Sequence, residues 1–138
     1  MASLRHSLFA DFVAPGDGGK ITVVGIFEKL TLSREQLGKV VGAFFFFIQI
    51  EWSIAEGSHH DADFAIVDGN GDLVGHRFRY PKIAGRSGGP GLPLSARIIT
   101  QMSVAFPDFG DFTVEVKVDG VRIGGALLSV VERAVSPS

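Results

Sequence analysis

Apolar and polar residues alternate with a period of two along much of this sequence. The pattern is clearest between Phe112 and Val118, where Phe and Val alternate with Thr, Glu and Lys. A period of two places one row of side chains in a core and the other in solvent, as in a half-buried β-strand. Asp119-Gly120 follows, and Val121 begins a second apolar run, so this region predicts a tight β-hairpin.

The same pattern predicts strands along the rest of the chain, separated by turns rich in Gly, Pro, Asn and Asp. The predicted strands span residues 4–13, 20–30, 43–55, 62–67, 73–80, 96–106, 112–118 and 121–131. Gly25, in the middle of the second strand, predicts a bulge or a close approach of another segment. About eight strands at this spacing predict an all-β fold, an antiparallel β-sandwich of the immunoglobulin-like or C2-like kind.

One short helix is predicted between the second and third strands. Ser33 and Gln36 have the spacing of a capping box, in which an N-cap Ser and a Gln three residues later satisfy each other's backbone N–H groups. The helix would run to about Lys39, and Gly38 and Gly42 would keep it short.

The strand predicted at 43–55 is apolar on both faces at its start. One face, predicted to lie in the core, consists of Phe44, Phe46, Ile48, Ile50, Trp52 and Ile54. The opposite face begins with Phe45 and Phe47 and then becomes polar. Two neighbouring exposed Phe side chains would be an unusual patch on a monomer. Either the predicted helix or a nearby loop covers them, or they contact a second subunit or another protein.

Length and composition limit the class of protein. The 138 residues predict a single domain, 1–138, with an irregular, flexible Gly/Pro-rich loop at 81–93 and a tail at 132–138. There is no cysteine, which excludes disulfides and thiolate metal sites. A net charge of −2 argues against a broad nucleic-acid surface. The first residues lack the features of an export signal, and no apolar run approaches the roughly 20 residues of a membrane helix. We therefore expect a cytoplasmic protein with no membrane contact.

The segment from Gly75 to Arg97 is basic, with no acidic residue. Its candidate anion or ligand patch consists of Arg77, Arg79, Lys82 and Arg86. Such a patch could hold a phosphate-bearing or carbohydrate ligand. The alternative is an edge strand whose charges discourage pairing with other chains.

Two segments contain metal-ligand residue types. Asp68, Asn70 and Asp72 match the first ligands of an EF-hand loop, but Leu73 and Arg79 stand where that loop needs Gly and Glu. A hairpin turn explains the same residues.

The second segment is His59-His60-Asp61 with Asp63, where His59, Asp61 and Asp63 could share one face of a strand. No further ligand motif accompanies it, so we predict a solvated loop and no metal, no cofactor and no catalytic residue. Neither a P-loop nor a nucleophile elbow is present.

Four motifs run through nearly the whole chain: Ala10-Asp11, Gly19-Lys20-Ile21, Gly25-Ile26-Phe27, and the segment from Phe106 to Gly120 with its Phe-Pro-x-x-Gly-x-Phe start. In these the chain resembles an uncharacterised family of short bacterial proteins, in which a Tyr is common at the position of Phe112. The resemblance implies a compact β-sandwich without an assigned activity.

The sequence therefore predicts a non-enzymatic structural or protein-binding module, self-associating or part of a larger assembly, with Phe45 and Phe47 as a possible interface. The alternative is a sandwich that binds a phosphate-bearing or carbohydrate ligand at the basic patch.

Overall fold

Ten β-strands form in the residues that the computed structural model describes, 1–40 and 43–134. They are β1 (Ser3–Pro15), β2 (Ile21–Phe27), β3 (Lys29–Leu32), β4 (Phe44–Trp52), β5 (His59–Val67), β6 (Leu73–Ala84), β7 (Arg86–Ser87), β8 (Leu94–Met102), β9 (Gly110–Val118) and β10 (Val121–Glu132). Sheet A has the order β2-β1-β4-β8-β7, and sheet B has the order β3-β10-β9-β5-β6. The predicted all-β sandwich is confirmed, with ten strands in place of about eight.

The segment predicted as one strand at 20–30 is divided between the two sheets. β2 pairs with β1 in sheet A, whereas β3 pairs with β10 in sheet B, and this second pairing is parallel. Phe27 and Leu30 both pack against the central core although they are an odd number of positions apart. Because the chain changes sheets at Glu28, this segment is not one strand. The β3–β10 pair is parallel, and the other strand pairs of the sandwich are antiparallel, as predicted.

The core lies between the sheets and follows the predicted alternation. On β9, Phe112, Val114, Val116 and Val118 are at most 4% exposed, and the predicted face of β4 is buried from Phe44 to Trp52. Ile54 is the exception at 60% exposed, because β4 ends before it and Ile54–Glu56 form a 3₁₀ turn. Asp119 and Gly120 have φ of 50° and 80°, the pair of positive angles that a type I′ hairpin turn requires.

The predicted helix after Ser33 is a single 3₁₀ turn, Arg34–Gln36. The capping interaction is present, since the N–H of Ser33 donates to Oε1 of Gln36 at 2.8 Å. The helix does not continue, because Leu37 is extended and Gly38, at φ 74°, turns its N–H toward the carbonyl of Phe106 at 2.8 Å. Gly42 lies outside the described residues.

Six of the thirteen residues in the predicted loop at 81–93 belong to strands. β6 continues to Ala84, the chain crosses from sheet B to sheet A at Gly85, and β7 begins at Arg86. Of the predicted tail at 132–138, positions 135–138 lie outside the described residues. No helix in the described part of the chain is long and apolar enough to cross a bilayer.

Candidate functional site

The β1–β2 hairpin crosses the outer face of sheet A. β1 pairs with β4 as far as Ala10, which lies opposite Phe45, and after that residue it pairs with β2 alone. At the tip of the hairpin, the carbonyl of Gly19 accepts a hydrogen bond from Nη1 of Arg97 on β8. Since β4 lies between β1 and β8 in the sheet, the hairpin passes over β4 to reach this partner.

Phe45 and Phe47 lie beneath this hairpin. Phe47 is 7% exposed and Phe45 is half-buried. They form a second apolar cluster with Leu8, Ala10, Val13, Ile21, Val23 and Ile99. The hairpin therefore covers this face, in place of the predicted helix or loop. A role of the two Phe residues in an interface stays a prediction, and Phe45 is the one that reaches the surface.

An exposed apolar patch surrounds Phe45 and continues onto β2. Phe12, Val24 and Ile26 are 45%, 54% and 65% exposed. Val24 lies opposite Phe12 in the β1–β2 ladder, and the Phe12 ring meets the Phe45 ring edge to face at 5.5 Å between centroids. We call Phe12, Val24, Ile26 and Phe45 the β2 patch.

The edges of the two sheets differ in their protection against pairing with another chain. Short strands, charged side chains and proline each discourage such pairing. β3 has four residues, β7 has two, and β6 carries Arg77, Arg79, Pro81 and Lys82. β2 has seven residues, Ile21–Phe27, with neither a charge nor a proline. Among these four outermost strands, β2 is the least protected.

The basic patch predicted at 77–86 is divided between the two sheets. Arg77 and Arg79 are exposed on β6 in sheet B, and Nη1 of Arg77 lies 3.6 Å from Oδ1 of Asp63. Lys82, also on β6, donates its backbone N–H to Oδ1 of Asp61 at 2.8 Å. Arg86 lies on β7 in sheet A. Arg86 therefore lies in a different sheet from the other three residues.

Arg86 lines a groove between the hairpin tip and strands β7 and β8. The groove has a volume of about 590 Å³ and is lined by Pro15, Gly16, Gly19, Lys20, Ile21, Arg86, Ser87, Gly88, Ser95, Ala96, Arg97 and Ile99. Its cations, Lys20, Arg86 and Arg97, come from three separate segments of the chain. Sequence reasoning missed Lys20 and Arg97 as partners of Arg86, because only the crossing of the hairpin brings them together.

The candidate metal ligands at 59–63 have separate partners. Oγ of Ser58 lies 2.7 Å from Nδ1 of His59, and Nδ1 of His60 donates to Oδ2 of Asp119 at 2.5 Å. This hydrogen bond, followed by that from the N–H of Asp61, lowers the pKa of the Asp119 carboxyl. Within the described residues, no group of three His, Asp or Glu side chains converges as a metal site would require.

The segment predicted as a hairpin turn at 68–72 connects β5 and β6. Oδ1 of Asp68 accepts the backbone N–H groups of Asn70 at 2.8 Å and of Asp72 at 3.0 Å. The carboxylate therefore closes the turn, as Asp does in turns generally.

Comparisons with known proteins give a family and a fold. The sequence profile of a family of unknown function, DUF6941, matches residues 5–131. Among curated proteins, none matches this chain. The alkylpurine DNA glycosylase AlkC of Pseudomonas fluorescens, solved with DNA containing an abasic site analogue, superposes on 94% of this chain with a TM-score of 0.56 and 14% identity, and the chain spans 30% of that protein. An immunoglobulin-like protein of Pseudomonas aeruginosa covers 94% of this chain and 96% of its own at 11% identity, with a TM-score of 0.42.

Proposed function

The chain belongs to DUF6941, a family of unknown function, and we propose that it is a non-enzymatic protein-binding module that self-associates through strand β2. Family membership confirms the resemblance to an uncharacterised family that the motifs indicated. The observation that carries the proposal is the β2 edge, which has exposed apolar side chains and neither a charge nor a proline between Ile21 and Phe27.

Pairing through β2 would use backbone groups that sheet A leaves free. An edge strand has N–H and C=O groups on its outer side that can bond to another strand. Gly25, at φ 69°, interrupts the β1–β2 ladder at one position, and the ladder resumes on the other side in the same register. A second strand on the outer side can form its bonds on both sides of Gly25 in the same way.

Charge and symmetry favour a second copy of this chain as the partner. When two copies of a strand pair antiparallel about a two-fold axis, the axis must pass between one residue and its own copy. The reason is that opposed pairs alternate between hydrogen-bonded and non-hydrogen-bonded types, and the axis can relate only pairs of the same type. With Val24 on the axis, Ile21 lies opposite Phe27 of the second copy, and Lys20 and Glu28, the residues that flank β2, would face each other beyond the two ends of the paired strands. Both ends of the apolar segment would then hold a pair of opposite charges, and the β2 patches of the two copies would be neighbours.

A binding role, rather than catalysis, agrees with the surroundings of the hydrogen-bonded pair His60 and Asp119. Nε2 of His60, the nitrogen that would exchange a proton with a substrate, is buried without a hydrogen-bond partner, and the ring packs edge to face on Trp52 at 4.7 Å. The hydrogen bond of Nδ1 to Asp119 holds the β9–β10 turn against β5. The pair therefore fits a structural role. A cytoplasmic location stays part of the proposal, and fractionation of cells that express the chain tests it.

Native mass by light scattering over a range of concentrations tests the self-association. We expect a wild-type dimer and a monomeric Val24→Lys variant, because the substitution places two ammonium groups opposite each other on the axis. The matched control is Val121→Lys, since Val121 is 50% exposed on β10 and Val24 is 54% exposed on β2. A wild-type monomer at high concentration, or equal effects of the two substitutions, contradicts the proposal.

Exchange of the two charges tests the register. Lys20→Glu alone places like charges opposite each other at both ends of the paired strands, so we expect a weaker dimer. Lys20→Glu with Glu28→Lys restores opposite charges and should restore the dimer. A double variant as weak as the single one would mean that the strands do not pair about Val24.

A further inference from the structure

We propose that the groove between the hairpin tip and strands β7 and β8 binds a small molecule that carries a phosphate group on an apolar body. The proposal concerns a different surface from the β2 patch and does not require a dimer. Lys20 and Ile21 take part in both proposed surfaces, and anion binding in the groove depends chiefly on Arg86 and Arg97.

The cations of the groove are available for an anion. Four arginines elsewhere in the described chain are paired with carboxylates, as Arg77 is with Asp63 and Arg34 is with Glu132. None of the salt bridges among the described residues involves Lys20, Arg86 or Arg97, and no carboxylate belongs to the described lining of the groove. Guanidinium groups form short, charge-assisted hydrogen bonds with phosphate oxygens. An anion would therefore gain attraction without displacing a carboxylate.

The remaining lining fits the body of such a ligand. Ile21 and Ile99 are partly buried apolar residues that belong to the cluster beneath the hairpin. Ser87 and Ser95 add hydroxyl groups beside the cations. Small-molecule sites are commonly about 300–1,000 Å³, mostly apolar, with a few polar groups that fix the orientation of the ligand. A volume of about 590 Å³ with this lining fits an amphiphilic anion better than a bare ion.

The geometry also explains how the site is held open. The hydrogen bond between Arg97 and the Gly19 carbonyl joins the tip of the hairpin to β8. On the other side, Arg86 follows Gly85, whose N–H donates to the carbonyl of Ser58 at 2.9 Å. Both walls are thus bonded to neighbouring segments of the fold before any ligand arrives. Arg97 serves both as a wall connection and as a cation, so Arg86 is the cleaner residue to change.

Calorimetric titration with phenyl phosphate, inorganic phosphate and phenol tests the proposal. We expect phenyl phosphate to bind more tightly than either fragment, with an affinity that falls as salt is added. Arg86→Gln should weaken phenyl phosphate binding by about tenfold or more, the loss that corresponds to one hydrogen bond to a charged group. Arg79→Gln is the matched control, because Arg79 is an exposed arginine that lies on β6 and does not line the groove.

Several results would overturn this site. No binding of phenyl phosphate, binding no tighter than that of inorganic phosphate, or equal losses in Arg86→Gln and Arg79→Gln would each do so. Urea unfolding of both variants separates a lost contact from a lost fold. Val24→Lys should bind phenyl phosphate as the wild type does, so that a failure of self-association and a failure of the groove are read separately.

Discussion

Gly85 occupies the point at which the chain passes from β6 in sheet B to β7 in sheet A. An alanine Cβ at this position would lie 2.6 Å from Cζ2 of Trp52 and 2.7 Å from Cβ of Leu94. Non-bonded carbon atoms are most stable at about 3.5–4.0 Å. We therefore expect Gly85→Ala to destabilise the fold, because a methyl group at Gly85 would overlap two buried side chains by about 1 Å.

The neighbours of Gly85 leave little room for relief. Trp52 is 1% exposed, and its Nε1–H donates to the carbonyl of Gly57 at 2.8 Å, so the indole ring cannot turn away without losing that bond. Leu94 lies in β8, paired with both β4 and β7. Overpacking of this kind costs about 1–3 kcal/mol. For a chain of this length that loss corresponds to a melting temperature lower by roughly 4–12 °C.

Urea unfolding followed by Trp fluorescence measures this change. Gly69→Ala is the matched control, because no atom lies within 4 Å of a Cβ at Gly69 and its φ is outside the left-handed region. We expect the control to change the free energy of unfolding by less than about 1 kcal/mol. Equal stability of the two variants would refute the packing argument. Since Gly85 also places Arg86, Gly85→Ala should weaken phenyl phosphate binding more than Gly69→Ala does.

Two further predictions concern polar contacts. The hydrogen bonds from His60 and Asp61 lower the folded-state pKa of Asp119, so the carboxylate stabilises the fold above the ordinary carboxyl pKa and loses that contribution as pH falls through the lowered value. Asp119→Asn keeps a residue that suits the left-handed turn, so it should lower the free energy of unfolding by at most about 1 kcal/mol at neutral pH. The difference from wild type should shrink in acid. A difference in the urea unfolding curves that does not change with pH would contradict the prediction. The Tyr80 hydroxyl bonds to that of Thr100, which is 5% exposed, so Tyr80→Phe should cost about 1–2 kcal/mol. Adding Thr100→Val should recover most of that loss in a double-mutant cycle, and additive losses would count against the bond.

Local patterns predicted the parts of the fold that depend on neighbours in sequence. The alternation on β9 and the Asp119-Gly120 turn define a hairpin without reference to other segments. The Ser33–Gln36 capping interaction also formed as predicted. The length of the helix did not, because Gly38 donates to Phe106, a partner 68 positions away that no local pattern could indicate.

Changes of sheet were invisible to the sequence pattern for a physical reason. Alternation reports which side of a strand is buried, and it does not report against which sheet. Phe27 and Leu30 are both apolar because each meets the same core from a different sheet. Phe47 is buried by the part of the β1–β2 hairpin that no longer pairs with β4. The pattern could not predict the groove cations either, because Lys20, Arg86 and Arg97 become neighbours only where the β1–β2 hairpin crosses sheet A.

Two of the motifs shared with the family lie at the place where the β1–β2 hairpin begins to cross sheet A. Ala10-Asp11 and Gly25-Ile26-Phe27 meet as opposed segments of β1 and β2. Gly25 has a φ of 69°, and a Cβ there would overlap the carboxylate of Asp11, with the Asp11 Cγ at 2.8 Å. This contact adjoins Ala10, the last residue of β1 paired with β4. A glycine at 25 therefore permits the close approach at the place where the hairpin leaves β4. The same departure carries the hairpin tip to Arg97 and leaves β2 as a free edge, so motifs that indicate only a fold also position both proposed binding surfaces.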